Sequence, residues 1–340
     1  MDLTTRTKTA DRSRALRCIV CGNRNPQRFR TRCRREDCRV VECLVCSFHF
    51  IPFRYRQSID YRTYKSADVA AEVAKSDKWL KIQRNLLRYR LIRRYRSSGR
   101  LYDIGCGFGH FLLTGKQLGY DVSGAEMSKT NALYVRETLG IRVDEGDFLA
   151  VDEGRQYDIL TLWDVLEHMD GADRVIEKAS RLAAAGGYLF IQVPALDSLL
   201  ACLFRRGWWA VGLDHVNYFS RRTMKLLLDR YGFEMQKTVP SIELKNILVY
   251  VLLPKLKRRK RTPQMTAAVR QKAFNRMTPK PMWMRRVLMT AHNAVYACLC
   301  LLSVADEMIV VARKRPVPFM GRHDGSQAGP LPSIPKGKPR

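Results

Sequence analysis

At 340 residues the chain is longer than one typical domain, so a full core of about 200 residues with appendages is expected. Its formal charge of +29 is unevenly placed: 26 basic against 9 acidic residues over 1–100, 16 against 20 over 101–250, and 19 against 3 over 251–340. This excludes a uniformly basic protein; a slightly acidic centre suits a cationic ligand, and basic flanks suit an anionic partner such as nucleic acid or a membrane surface.

The chain opens on polar, threonine-rich and basic residues with no apolar segment before a cleavage site, so no secretory signal is expected and a cytoplasmic protein is predicted. Residues 1–16 read as a disordered tail. Six of the ten cysteines then fall between positions 18 and 46, a density that in a reducing compartment predicts metal ligation rather than disulfides. Cys18-Ile-Val-Cys21-Gly22 and Cys43-Leu-Val-Cys46-Ser47 are two knuckles 21 residues apart, near the spacing of a zinc ribbon. Cys18, Cys21, Cys43 and Cys46 are therefore the predicted metal ligands of a ribbon over 17–56. Four thiolates close the shell of a tetrahedral ion, which makes the predicted zinc structural, and so short a segment needs it to fold. Cys33, Cys38 and His49 are additional donors, and the simplest assignment leaves the two cysteines as spare thiols.

Residues 57–99 read as a helical linker. Leu80, Leu87, Leu91 and Tyr95 recur at three- or four-residue steps over 79–96, with Lys and Arg filling the remainder, and Ser97-Ser98-Gly99 ends the helix. The apolar stripe is expected to pack on a sheet and the arginines to face water.

The core is predicted over 100–245. Leu101-Tyr102-Asp103-Ile104-Gly105-Cys106-Gly107-Phe108-Gly109 is an apolar strand closed by an acid and followed by three alternating glycines. The first glycine turns the chain, the second admits close backbone approach to a ligand, and the third lets a helix pack against the strand. Glu126, 21 residues after Gly105 at the tip of the next strand, is placed to accept hydrogen bonds from ribose hydroxyls. A second interval of 21 residues reaches Asp147, beside Phe148. Tyr157 to Trp163 reads as a further strand with Asp164, Glu167 and His168 beyond its carboxyl end. Gly186-Gly187 turns into a buried strand ending at Val193-Pro194. His215-Val-Asn217-Tyr218-Phe219-Ser220 introduces a helix capped by Ser220, followed by a strand near 233–239.

Residues 246–302 read as an apolar and basic helical insertion ahead of a final strand within 303–315, and 316–340 as a disordered tail. The insertion joins an apolar run to a polybasic one, which suits a helix lying in an anionic membrane interface, with an ordinary lid or dimer helix as the alternative. A membrane span is rejected, because the chain must return to the sheet within a few residues.

The D-x-G-x-G-x-G pattern, the acid at Glu126, Asp147-Phe148, the strand ending in Trp163-Asp164 and the glycine turn before Val193-Pro194 together resemble the ordered motifs of the class I S-adenosylmethionine-dependent methyltransferases. The resemblance implies an α/β, Rossmann-like seven-stranded sheet, here carrying a small N-terminal zinc ribbon and a helical insertion before the last strand. It implies S-adenosyl-L-methionine as cofactor, held by Asp103, Gly105, Cys106, Gly107, Gly109, Glu126, Met127, Asp147, Phe148 and Trp163, with Asp147 accepting the adenine amino group. Asp164-x-x-Glu167-His168 also resembles the acidic-histidine cluster of ubiquinone-type O-methyltransferases, where a divalent ion can assist. His168, Asp164, Glu167 and His215 are the candidate catalytic residues, with helix capping as the alternative role for His168. Layout with a ribbon resembles a bacterial group of zinc-ribbon methyltransferases acting on varied small molecules, often sugars. The expected activity is methyl transfer to a small-molecule, sugar or lipid-linked acceptor, at oxygen with carbon or nitrogen as alternatives, and with peripheral membrane contact. RNA methylation by a ribbon and basic flanks gripping phosphates is the alternative. No Asn/Asp-Pro-Pro-Tyr and no Pro-Cys follows the fourth strand, which leaves nucleobase N-methylation and cytosine C5 chemistry unsupported.

Overall fold

Two β-sheets, one small and one large, carry every strand among the described residues. In this computed structural model these are residues 16–34, 39–56, 78–152, 154–204, 208, 210–212, 214–241 and 305–316, with 290 and 294 as isolated positions. The two predicted tails, the linker up to residue 77 and nearly all of the predicted insertion, with its membrane-interface reading, lie outside the described residues.

In chain order the ribbon contributes β1 (Phe29–Arg34), β2 (Arg39–Cys43) and β3 (His49–Phe50). Helix α1 (Lys78–Ile92) follows, shorter at its carboxyl end than the predicted 79–96, because the chain passes into turns at 93–95 before the Ser97-Ser98-Gly99 stop. Next come β4 (Arg100–Ile104), α2 (His110–Gln117), β5 (Asp121–Glu126), α3 (Lys129–Glu137), β6 (Arg142–Glu145), β7 (Tyr157–Trp163), α4 (Ala172–Leu182) and β8 (Ala183–Pro194). A short α5 (Leu199–Phe204), β9 (Asn217–Tyr218), α6 (Arg221–Arg230), β10 (Phe233–Ser241) and β11 (Glu307–Lys314) complete the order. Ser220 caps α6 as predicted, and Thr223 closes a reciprocal capping box.

The large sheet has seven strands in the order β10-β11-β8-β7-β4-β5-β6. From β8 to β6 all neighbours are parallel, while β11 is antiparallel to both β8 and β10. This is the Rossmann-like sheet expected of a class I methyltransferase.

Because successive strand residues point to opposite faces, each central strand divides into two sets. Tyr102, Ile104, Leu160, Leu162, Leu189, Ile191, Val193, Met308 and Val310 enter one core, packed with Val175, Ile176, Ala179 and Leu182 of α4 and Met224, Leu227 and Leu228 of α6. Leu101, Ile159, Trp163, Phe190, Ile309 and Val311 enter the other, against Tyr89 and Ile92 of α1, Phe111 and Leu112 of α2, and Ala132 and Val135 of α3. Leu91 and Tyr95 of the predicted stripe pack on this face of the sheet together with Tyr89 and Ile92, which the stripe did not include. Burial on both faces is what the near-continuous apolar runs of these strands require.

The small sheet runs β1-β2-β3-β9. Its fourth strand is not part of the amino-terminal module: β9 belongs to the segment between β8 and α6, so ribbon and core share one sheet.

Phe190 is fully buried and lies 5.9 Å from Tyr95 in an edge-on ring pair. Truncation there leaves a cavity that strands on both sides hinder from collapsing. Phe190→Ala is expected to lower unfolding free energy by about 3–5 kcal/mol in urea titration.

Candidate active site and thiol cluster

The glycine loop joins β4 to α2 and is fixed from the neighbouring strand. The amides of Gly105 and Cys106 both donate to the Ala125 carbonyl, at 2.9 and 3.0 Å. Gly105 has φ +77°, and a Cβ there would stand 2.8 Å from the Val165 side chain, so the loop lies directly against the turn after β7. Gly107 has φ +56° and a Cβ there would meet nothing within 4 Å, which leaves its backbone open to a ligand. Gly109, also left-handed, precedes the first residue of α2. Glu126 braces this loop: one carboxylate oxygen accepts the Gly107 amide at 2.8 Å and the other the Ser128 amide at 2.9 Å. Cys106 is buried beneath the loop, and burial pushes its thiol well above the ordinary value. Met127 is half-buried beside Glu126. Asp147 is exposed and caps a single 3-10 turn (Phe148–Ala150), one oxygen accepting Leu149 N–H at 2.9 Å. The Phe148 ring turns inward, 6.2 Å from Tyr102 and under the Lys178 amine.

On the α1 face of the sheet, polar residues interrupt the apolar strands two positions apart and gather toward the carboxyl edge. Asp103 is buried and accepts the Thr161 hydroxyl at 2.6 Å. Burial, opposed by Thr161 and Arg88, raises its carboxyl to about 7. Arg88, predicted to face water, is instead 5% exposed. Its guanidinium lies 4.4 Å over the Trp163 ring, bonds Asp164 at 3.1 Å and donates twice to Gln192, at 2.9 and 3.2 Å. Gln192 passes its amide to Glu307 at 2.8 Å, and Ser241 donates to the same carboxylate oxygen at 3.3 Å. Burial lowers the Arg88 guanidinium only to about 10, so it keeps its charge at neutral pH. Trp163 offers a buried indole N–H with no partner. Asp164 also meets Arg84, at 3.3 Å, and holds φ +60°, a left-handed conformation that costs a non-glycine residue roughly 1 kcal/mol and that the two arginines help to fix.

Beyond β7 the remaining candidates converge. Ligand atoms of Glu167, His168 and His215 lie within 4.8 Å of one another, and the two imidazoles meet edge to face at 4.7 Å. His168 Nδ1 lies 2.8 Å from the Asp214 carbonyl and His215 Nδ1 2.9 Å from the Ala210 carbonyl. A carbonyl only accepts, so both Nδ1 atoms carry a proton, and in a neutral imidazole Nε2 is then the basic nitrogen. His168 Nε2 is 3.7 Å from one Glu167 oxygen, and the other is buried without a partner. Burial first, then Asp164, pushes the Glu167 carboxyl well above its ordinary range. Burial first, then His168, lowers His215 to about 4.

The four predicted thiols also come together. Sulfur atoms of Cys18, Cys21, Cys43 and Cys46 lie within 4.8 Å of one another, with 3.5 Å between Cys18 and Cys46 and 3.6 Å between Cys21 and Cys43. Tetrahedral Zn–S bonds of about 2.3 Å imply sulfur separations of about 3.8 Å, so the donor set fits such an ion. All four are free thiols. Cys33 is set apart, buried with Val40, Ile51 and Trp208, and His49 turns its Nδ1 to the Ser47 carbonyl.

Sequence reasoning did not select Arg88, Gln192, Glu307 or Asn217. A signal existed for Gln192 and Thr161, which are polar residues inside apolar strands at matching alternation. For Arg88 there was none, since it is one arginine among several on α1.

A family model described as a methyltransferase domain matches residues 77–238. A ubiquinone biosynthesis O-methyltransferase of Chelativorans sp. (strain BNC1) is 34% identical over 99 residues, 27% of this chain and 39% of that one. The same-named enzyme of Bordetella avium (strain 197N) is 30% identical over 101 residues, 27% of this chain and 41% of that one. The chain thus spans about two fifths of the length of these curated relatives. A SAM-dependent methyltransferase structure from Archaeoglobus fulgidus aligns with a TM-score of 0.45 at 17% identity, covering 73% of this chain and all of that one. Residues 77–238 are a methyltransferase domain of the class I, S-adenosylmethionine-dependent type.

Because the folded value of Asp103 lies above the ordinary 3.8, its ionisation opposes folding. The stability that goes with the neutral carboxyl is lost as pH rises from 3.8 to about 7, and the cost of ionisation is constant above. Relative to wild type, Asp103→Asn is expected to gain up to roughly 4 kcal/mol of unfolding free energy across that window, measured by denaturant titration at several pH values.

Proposed function

We propose that this protein transfers the methyl group of S-adenosyl-L-methionine to a hydroxyl of a small-molecule, sugar or lipid-linked acceptor. The observation that carries this reading is the close approach of Gly105 to Val165, with no room for a Cβ between them, which sets the glycine loop and Glu126 against the turn bearing Asp164, Glu167 and His168. Cofactor-holding groups and proton-accepting groups thereby share one wall at the carboxyl edge of an open α/β sheet, where such folds bind ligands.

The cofactor, when bound, supplies an electrophilic methyl on a positively charged sulfur. The chain then has three tasks. Glu126 accepts from ribose hydroxyls while keeping its bond to Gly107, and Asp147 offers its second oxygen to the adenine amino group. The Gly107 backbone admits the ligand closely. His168 or His215, each with Nε2 turned away from its carbonyl partner, accepts the hydroxyl proton of the acceptor beside Glu167. The same three side chains form a donor set suited to a divalent cation, which would lower the hydroxyl pKa. Oxygen as the methylated atom rests on the O-methyltransferase relatives. The four thiols are assigned a structural zinc, for which full thiolate coordination leaves no open position.

The test supplies methyl-labelled cofactor to lysate of the source cells with the purified protein. Label is expected in small metabolites, glycans or lipids, whereas label in RNA would overturn the acceptor assignment. By calorimetry Glu126→Ala is expected to weaken cofactor binding about 10–100-fold, the loss of one or two charge-assisted bonds. His168→Ala is expected to leave that affinity within about threefold and to slow turnover by roughly 100-fold or more. Atomic emission should find one zinc per chain, lost in Cys43→Ser.

A further inference from the structure

The histidine-bearing wall of the site is not held by the methyltransferase core alone. Val216 is the link: its carbonyl accepts Ile51 N–H from the ribbon at 2.9 Å, and its own N–H donates to the Glu167 carbonyl at 2.8 Å. The next residue repeats the pattern. Asn217 pairs with Phe50 across β3 and β9, while its side-chain amide donates to the Leu166 and Met169 carbonyls at 3.2 and 2.7 Å. Phe48, fully buried, fills the space between these layers, 5.7 Å from Phe50 and 5.2 Å from Phe219.

That arrangement is tied directly to the thiol cluster. Cys43 N–H donates to the Phe48 carbonyl at 2.8 Å and Ser47 N–H to the Cys43 carbonyl at 2.7 Å, so the second knuckle sets where Phe48 enters the core. The first knuckle is docked on the core by contacts of its own: Arg230 donates to the Ile19 and Val20 carbonyls, both at 3.4 Å, and Arg17 pairs with Asp173 at 3.0 Å. Strands β3 and β9 have two residues each and are far too short to pair stably alone. In so small a module, metal-binding free energy is folding free energy. The glycine loop, by contrast, takes its backbone bonds from Ala125 and Glu126 within the core.

We propose that the metal-loaded knuckles are the anchor of the acceptor side of the site: ribbon occupancy fixes the 214–219 segment and the 165–169 turn through Ile51, Val216 and Asn217, and leaves the cofactor side unaffected. Val216 and Asn217 are positioning residues in this scheme. It rests on the methyltransferase reading above.

The experiment compares hydrogen exchange and cofactor affinity in the full-length protein with zinc, after chelation, and after zinc is restored. Cys46→Ser serves as a second zinc-free form that retains the histidine cluster. Exchange across 214–219 and 165–169 is expected to accelerate at least about tenfold without zinc and to recover on reloading, with the cofactor Kd changed less than about threefold. Asn217→Ala should loosen 165–169 while zinc content stays the same, and unchanged exchange there would overturn the positioning role given to Asn217. Unchanged exchange at 214–219 in zinc-free protein whose residues 16–50 have opened would overturn the proposal, as would cofactor affinity falling in step with zinc. Failure of the zinc-loaded protein to bind S-adenosylmethionine would remove the underlying methyltransferase reading, and the proposal with it, and is visible before any zinc is withdrawn.

Discussion

Strands buried on both faces allow polar side chains only where partners are waiting, and the network gathered around Arg88 lies on one face of this sheet. Asp103, Thr161, Trp163, Gln192 and Glu307 occupy alternating positions on adjacent strands, so the pleat directs them toward α1 and away from the core formed by α4 and α6. Arg88 supplies the compensating charge from the helix above, reaching Asp164 and Gln192 together. A buried cation without those acceptors would carry a desolvation cost of several kcal/mol, so the position of α1 and the conformation of the turn after β7 are set by one requirement.

That requirement explains why the site has its particular shape. Asp164 holds a left-handed backbone with Arg84 and Arg88 on its carboxylate, and the residues after it turn back against Gly105. The turn therefore carries Glu167 and His168 to the carboxyl edge, where His215 arrives from a separate loop. Burial has opposite effects on the two kinds of group: it raises Asp103 and Glu167 and lowers His215. At neutral pH a lowered His215 carries a lone pair, the state needed either to accept a proton or to ligate a cation.

The ribbon extends the same logic to the far side of the molecule. Its sheet is completed by two residues of the core, and its aromatic residues share one apolar cluster with α4 and α6. A module of some forty residues gains a core by borrowing one, and the borrowed strand is the segment that presents His215.

Much of this was legible in the chain. The glycine loop, the pairing of the two cysteine knuckles and the Ser220 cap are local patterns, in which each residue's conformation follows from neighbours a few positions away; the seven-stranded sheet was expected from the resemblance that the ordered motifs carry. What sequence did not disclose was contact across long separations. Arg88 looked like any other helical arginine because only the docking of α1 distinguishes a buried face from a wet one. Asn217 read only as part of the segment leading into the Ser220 cap because its partners, Phe50 and the 166–169 turn, are remote in sequence and close only after folding. The sequence by itself determined the elements, their order and the donor types, since those depend on local periodicity and turn chemistry. Only the tertiary structure decided which polar groups meet in the interior, since desolvation makes their pairing a property of the packed whole.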